Sequence, residues 1–533
     1  MSFNPRQGNH QSSFMLTLPV GALFATGSAI IVLRMLLEDL MEPPKLLSLG
    51  LTFYENVVDI GHVFLCWWIL ILVIVLLLSL VLHRQFLNVF SLAVVCLPVI
   101  LVVPFLDMLI PTTSLSGIHY QHTFSTLSHI AANLFNPFIT LGGITPGVRV
   151  EIFLIILSIL FTSHFLLGKS WVKSMLASGL TLLAIMIFGY LPAFYRLADV
   201  KEFQATFSPG PFAYMRMLFI PLLFLFAGIT LRLAHEQPGG WKLLRKIVYP
   251  SRMTAYGGAF LAGYLLIHLG LATKETDISP AMEILRVVTA LSGIWFLFLS
   301  AKFRNDIIDL PADRISTPDR PLVTGEMSVR TASQLSGIFI VISFPLLIQG
   351  SRNLLPFWLV FCAISHLYVS EHLNVRKIYP LGQAAIAALI VFLVLAGAEL
   401  AVGGGASLAL EVHPLFVPGV FLMAFLVANL KDFRDLEGDR IAGYRSLPML
   451  FENPLCAVPW LITGTAIIVS ILSFSVGVPT IPVGIILLIY LFSGFRTLKR
   501  ISGFHEMDKI TVLTIWTILA CLAAFVLNHL FPM

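Results

Sequence analysis

A chain of 533 residues that is 58% hydrophobic and only 11% charged carries more apolar surface than a soluble domain can hide, which leaves an all-α polytopic membrane protein. The net charge of +5 matters less than where the charges lie, and no nucleic-acid partner is expected. Cys66, Cys96, Cys362, Cys456 and Cys521 are scattered through apolar runs with no C-x-x-C pair, which excludes a disulfide framework and a zinc site.

The first apolar run, near 14–37, has only Arg6 ahead of it and no cleavage site, so it reads as a retained helix and not a signal peptide. A span needs about 20 apolar residues. Runs near 63–82, 87–110, 150–168, 171–194 and 212–234 bring the first set to about six helices. Residues 111–149 then form one long external segment almost free of Lys and Arg. His119, His122 and His129 would share a helical face there, but no carboxylate or cysteine completes a metal set, so polar packing is expected. HEQPGGWKLLRK, residues 235–246, joins a Pro-Gly-Gly break to basic residues and marks a boundary between domains 1–240 and 241–533.

Nine runs follow, near 253–272, 281–301, 330–350, 354–372, 379–399, 411–430, 453–475, 479–494 and 510–530. Placing the two Asp-rich loops inside puts twenty Lys and Arg, from Arg232 to Lys509, on that side and only Lys274 and Arg352 on the other, with Arg286 ambiguous. This bias predicts an integral protein of an inner or plasma membrane, with loops 302–329 and 431–450 cytoplasmic.

The chemistry is concentrated in those loops. In NDIIDLPADRISTPDRPLVTG, residues 305–325, Asp306, Asp309 and Asp313 lie at offsets of 3 and 7, within about a 60° arc of one helix. Pro311 is expected to kink or end that helix, so that Asp313 reaches the site from a loop. The pattern D-x-x-D-L-x-x-D-R-I returns 126 residues later with Asp432, Asp435 and Asp439. Acids at the end of an apolar span need a cation or a basic partner. Two such faces converging on one cavity would hold divalent cations, and hard oxygen ligands select Mg²⁺ or Mn²⁺. Arg314, Arg320, Lys431, Arg440 and Arg445 lie in the same loops and can pair with phosphate oxygens. Arg434, between two acids, reads instead as a positive anchor at the membrane face. The combination describes a site for an amphiphile with an anionic head, such as an isoprenyl diphosphate.

NDIIDLPADRISTPDRP resembles the N-D-x-x-D-x-x-x-D first motif of the UbiA-type intramembrane prenyltransferase superfamily, and KDFRDLEGDRIAGYRSLP resembles its second. The likeness covers about residues 241–533. The short spacing to Arg320-Pro321, with E-G-D-R and S-L-P, resembles the branch of chlorophyll synthase, homogentisate prenyltransferases and digeranylgeranylglyceryl-phosphate synthase. It implies a nine-helix prenyltransferase bundle, here preceded by about six extra transmembrane helices that resemble nothing in the family.

The resemblance further implies that Asp306, Asp309, Asp432 and Asp435 are the catalytic metal ligands. Asn305, Asp313 and Asp439 would assist at the diphosphate, with Arg320, Lys431 and Arg440. The family's tyrosine and Leu-Lys pair fall at Tyr368 and Leu373, but Asn374 stands in the lysine's place, and Arg376 or Lys377 would substitute. The implied activity is Mg²⁺-dependent transfer of a prenyl group from a polyprenyl diphosphate to a lipophilic, aromatic or membrane-accessible acceptor within the lipid bilayer. A terpene cyclase of the same fold, and a cation-coupled transporter or lipid-binding protein, remain as alternatives.

Overall fold

The computed structural model describes residues 19–41, 53–109, 146–198, 219–236, 240–270, 280–370, 375–402, 414–441, 443–477, 480–501 and 503–530, together with 405, 407 and 411. The described residues are helical and contain no strand. They divide into two compact units, one of residues 1–51, 63–200 and 221–236 and the other of 52–62, 201–220 and 237–533. Among the described residues, twelve helices are long and apolar enough to cross a membrane. The segment with His119, His122 and His129 lies outside the described residues.

The first unit contains α1 (Val20–Met41), α2 (Phe53–Val81) from residue 63 onward, α3 (Phe86–Cys96), α4 (Val103–Leu109), α5 (Pro146–Phe161), α6 (Trp171–Ala198) and α7 (Phe219–Glu236) from residue 221 onward. The expected run at 87–110 is broken by a 3₁₀ segment, Leu97–Val102, which begins beside Pro98, as a residue without an amide donor requires. Trp67, Trp68, Val75, Phe86 and Phe90 form its core. Arg34 and Glu151 are both buried and lie 3.0 Å apart, so each charge is compensated within the span.

In the second unit α8 (Gly240–Val248) is followed by α9 (Pro250–Gly270), α10 (Pro280–Ile308), α11 (Leu310–Ser316), α12 (Pro321–Thr324), α13 (Val329–Gly350) and α14 (Leu355–Val369). Then come α15 (Leu381–Ala401), α16 (Phe416–Ile441), α17 (Val458–Ser475), α18 (Thr480–Leu498) and α19 (Asp508–Leu530). Each of the nine predicted runs contains a helix, though α14 has only 15 residues. Small residues set the closest contacts. A Cβ at Gly263 would fall on the Val394 carbonyl, and one at Gly397 on that of Phe260, so α9 and α15 meet backbone to backbone. Ser300 and Ser336 each donate to the other's carbonyl at 2.8 Å, which joins α10 to α13.

Helix length places the acids. The 29 residues of α10 rise about 44 Å at 1.5 Å each, well beyond a hydrocarbon core of about 30 Å, so its last turns carry Asn305 and Asp306 past the apolar region. The 26 residues of α16 do the same for Asp432, Asp435 and Asp439. Pro311 does end α10, but Asp313 belongs to the short helix α11 and not to a loop. The Asp309 amide still donates to Asn305 and the Asp313 amide to Asp309, both at 2.8 Å, so the turns run on with only a slight break.

Candidate active site

The two acidic helices are joined directly. The Gly438 amide of α16 donates to Ser316 Oγ of α11 at 2.9 Å. A Cβ at position 438 would meet Ser316 Oγ and lie 2.6 Å from the Ala312 carbonyl, so glycine is what lets the helices approach this closely. This contact lays the end of the first motif along the second.

Five of the six acids then find basic or amide partners. Lys302, one turn before Asp306 on α10, pairs with it. Arg320 bridges the first motif, with Nη1 3.3 Å from Asp306 Oδ1 and a second ion pair to Asp313. Asn305 donates to Asp309 at 2.5 Å. Arg376 donates to Asn305 Oδ1 at 3.1 Å and pairs with Asp309, while its guanidinium lies 4.1 Å from the Tyr444 ring centroid. In the second motif Gln383 donates to Asp432 at 2.6 Å. Arg434 grips Asp435 through Nε at 2.8 Å and Nη2 at 3.0 Å, and reaches Asp508 at 3.2 Å.

The electrostatics follow from burial and these pairings. Burial pushes the Asp313 carboxyl up from the usual carboxylate range, against the opposing pull of Arg320. Burial alone would lower Arg320, but Asp313, Asp306 and Asp435 together outweigh it and raise the guanidinium. Arg320 therefore feels both motifs at once. Arg376 is lowered, chiefly by burial, with the acids of the second motif pulling the other way.

Behind this polar end lies a cavity of about 330 Å³. Arg252, Lys302, Asn305, Lys431 and Asp508 line its polar end, and side chains such as Val420, Leu472 and Phe525 line the rest. Phe416 and Lys431, fifteen residues apart on α16, both border it, which implies a depth of about 22 Å.

Ten of the sequence-predicted residues thus belong to this end of the unit: Asn305, Asp306, Asp309, Asp313, Arg320, Arg376, Lys431, Asp432, Asp435 and Asp439. Lys377 and Arg440 are exposed. Lys377 lies 5.8 Å from the Tyr444 ring, and no described hydrogen bond ties Arg440 to the acids. Tyr368 lines the cavity, whereas Leu373 and Asn374 lie outside the described residues. Arg434, read from the sequence as a positive anchor at the membrane face, is 7% exposed and holds Asp435. Lys302 could have been found from its i,i+4 spacing to Asp306. Arg252, Gln383 and Asp508 had no signal, since nothing local links them to the motifs.

The residues suit a divalent cation and a phosphate group. Among the described residues no three His, Cys, Asp or Glu side chains already form a metal cluster. Mg²⁺ does not require one, because it takes one or two carboxylates and fills its shell with water and phosphate oxygens. Arg320 Nε, Arg252 Nη2 and Gln383 Oε1 are buried without a hydrogen-bond partner, so two donors and an acceptor beside the acids await polar ligands.

Residues 253–518 match the family model of the UbiA prenyltransferase family. Digeranylgeranylglyceryl phosphate synthase of Sulfolobus acidocaldarius is 26% identical over 214 residues, 39% of this chain and 74% of that protein. Homogentisate phytyltransferase 1, chloroplastic, of Arabidopsis thaliana is 32% identical over 190 residues, 32% of this chain and 46% of that one. Among solved structures, a UbiA homolog from Archaeoglobus fulgidus bound to GPP and Mg²⁺ is 19% identical with a TM-score of 0.38, covering 53% of this chain and 99% of its own.

Proposed function

Residues 253–518 of this membrane protein are a UbiA prenyltransferase family domain, and from that premise we propose that the chain transfers a prenyl group from a polyprenyl diphosphate to a lipophilic, membrane-accessible acceptor. The observation that carries this reading is the docking of the two acidic helices, through Ser316 and Gly438, at the polar end of a deep apolar cavity. That is a place for a charged head and a hydrocarbon tail in one ligand.

Asp306, Asp309, Asp432 and Asp435 would hold Mg²⁺ or Mn²⁺, which when bound supplies the charge that lets diphosphate leave the allylic carbon. Asn305, Asp313 and Asp439 support these ligands. Arg320, Arg376 and Lys431 complement the head: all three are confined beside the acids, and their donors need not reorganise as negative charge builds on the leaving oxygens. The cavity wall seats the prenyl tail and keeps water from the allylic cation. No protein nucleophile is needed.

The Lys/Arg bias supports placing this polar end on the cytoplasmic side of an inner or plasma membrane. Residues 241–533 would be the catalytic unit, with 1–240 serving substrate access, assembly or partner binding. The test is turnover by purified full-length protein with radiolabelled geranylgeranyl diphosphate and a membrane-lipid extract, in Mg²⁺ and in EDTA, with products identified by mass spectrometry. Label should move to an acceptor only with the metal. Diphosphate release with the label in a cyclic hydrocarbon would replace transfer by cyclisation, and no release at any Mg²⁺ concentration would refute the reading altogether.

A further inference from the structure

The N-terminal unit has a cavity of its own, of about 130 Å³. It follows the α2 strip from Trp67 to Leu82, returns along α3 and the 3₁₀ segment from Val89 to Ile100, and is closed by α5 from Ile155 onward. Fifteen residues of helix rise about 22 Å. So small a volume drawn out over that length has room for one hydrocarbon chain and not for two side by side. The wall is almost wholly apolar. Its few polar side chains include Thr162 and Ser163, both in the π-helical turn Thr162–Leu166 that interrupts the end of α5. Such turns often mark functional positions.

Positive charge gathers where the cavity meets Leu82 and Leu167. Arg84 donates from Nη2 to the Leu167 carbonyl at 3.1 Å, so its guanidinium points along the protein and not out to water as a snorkelling anchor would. Its Nε is buried without a hydrogen-bond partner. The Leu167 carbonyl lies two residues before Lys169, which burial lowers first and the charges of Arg84 and Lys173 lower further. Arg232 donates to the Arg84 carbonyl at 3.2 Å. Among the described residues the carboxylate here, Glu236, is already engaged by Arg232 at 2.8 Å and by the Phe86 amide at 3.0 Å. Among the described residues no ion pair joins Arg84, Lys169 or Lys173 to a carboxylate.

We infer that this cavity is a second amphiphile site, holding a polyprenyl diphosphate with its tail among α2, α3 and α5 and its head on Arg84, Lys169 and Lys173. The narrow channel selects a single-chain lipid over a two-chain phospholipid, and the surplus cations select a phosphate head. The choice of a prenyl tail rests on the reading of the second unit proposed above. Unlike the site there, this one offers the head no carboxylates among its described lining residues through which a metal would act, so binding should not depend on Mg²⁺.

The test photolabels full-length protein in phosphatidylcholine nanodiscs with a geranylgeranyl diphosphate analogue carrying a diazirine near its tail end. Labelling is run in Mg²⁺ and in EDTA, and labelled peptides are mapped by mass spectrometry. Label on residues 63–82, 86–100 or 150–167 should survive EDTA and be displaced by unlabelled geranylgeranyl diphosphate but not by phosphatidylglycerol. It should fall roughly tenfold in Arg84→Gln/Lys169→Gln, the loss of charge-assisted contacts to phosphate. If that pair fails to fold, Lys169→Gln/Lys173→Gln should give the same direction, and Ala93→Phe should block the tail without altering charge.

Label confined to residues 240–530 in Mg²⁺ would overturn this inference while leaving the transferase reading in place. N-terminal label with none in 240–530 would do the reverse. N-terminal label displaced equally well by phosphatidylglycerol would also overturn it.

Discussion

Replacing Gly438 with alanine should uncouple the two acidic motifs without touching an acid. Helix propensity alone favours the change, since alanine exceeds glycine by up to about 1 kcal/mol in a helix interior. Against this, the new methyl group meets Ser316 Oγ and lies 2.6 Å from the Ala312 carbonyl. One of those atoms is backbone and cannot rotate away, so α11 must shift. Overpacking of this kind costs about 1–3 kcal/mol, and losing the 2.9 Å bond from the Gly438 amide to Ser316 costs about 1 kcal/mol more. The net is roughly 1–3 kcal/mol against the docked arrangement, or about 5- to 160-fold in turnover. Steady-state turnover with saturating prenyl diphosphate and Mg²⁺, alongside thermal unfolding, measures it. Ser316→Ala loses the bond but adds no bulk and should fall less, by about threefold to tenfold. Gly438→Ala with wild-type turnover would show that the docking of α11 on α16 is irrelevant to the site.

Asp306→Ala and Asp435→Ala should each reduce Mg²⁺-dependent turnover by several orders of magnitude, as removal of a metal ligand worth several kcal/mol does, while both proteins still insert; near-normal turnover by either would disprove the metal assignment. Arg376→Ala should raise KM for the prenyl diphosphate by about tenfold or more, and Lys377→Ala should change it little, because Arg376 sits on Asn305 and Asp309 whereas Lys377 is exposed; equal effects in steady-state kinetics would put the diphosphate elsewhere. Gly397→Val should prevent accumulation of folded protein, measured by size-exclusion chromatography in detergent, since its side chain would occupy the position of the Phe260 carbonyl; a well-folded variant would mean that α9 and α15 can part. Cysteines replacing the exposed Arg314 and Arg445, in a background lacking the five native cysteines, should react only with reagents that reach the cytoplasm, and labelling from outside intact cells would reverse the orientation.

What the sequence determined by itself was whatever is local along the chain. Apolar runs of spanning length declared the helices, because a buried backbone in lipid must satisfy its own hydrogen bonds. The two D-x-x-D-L-x-x-D-R-I stretches declared which ends of α10 and α16 carry charge, since helix periodicity alone puts each triad on one face. Pro311 correctly ended α10, but a proline is compatible with the first turn of a new helix, and so Asp313 was delivered by α11. Only the tertiary structure decided which cation meets which acid. Arg434 looked like an anchor because its sequence neighbours are all it could be judged by; the start of α19, far along the chain, brings Asp508 within 3.2 Å of it. Gln383 and Arg252 lie beside the acids, and Lys377 and Arg440 are exposed, for the same reason: a polar side chain of given reach can pair with many partners, and packing between helices far apart in sequence decides which of them it meets. The cavities belong wholly to this second level, because a void is a property of several helices at once and no single stretch of sequence contains it.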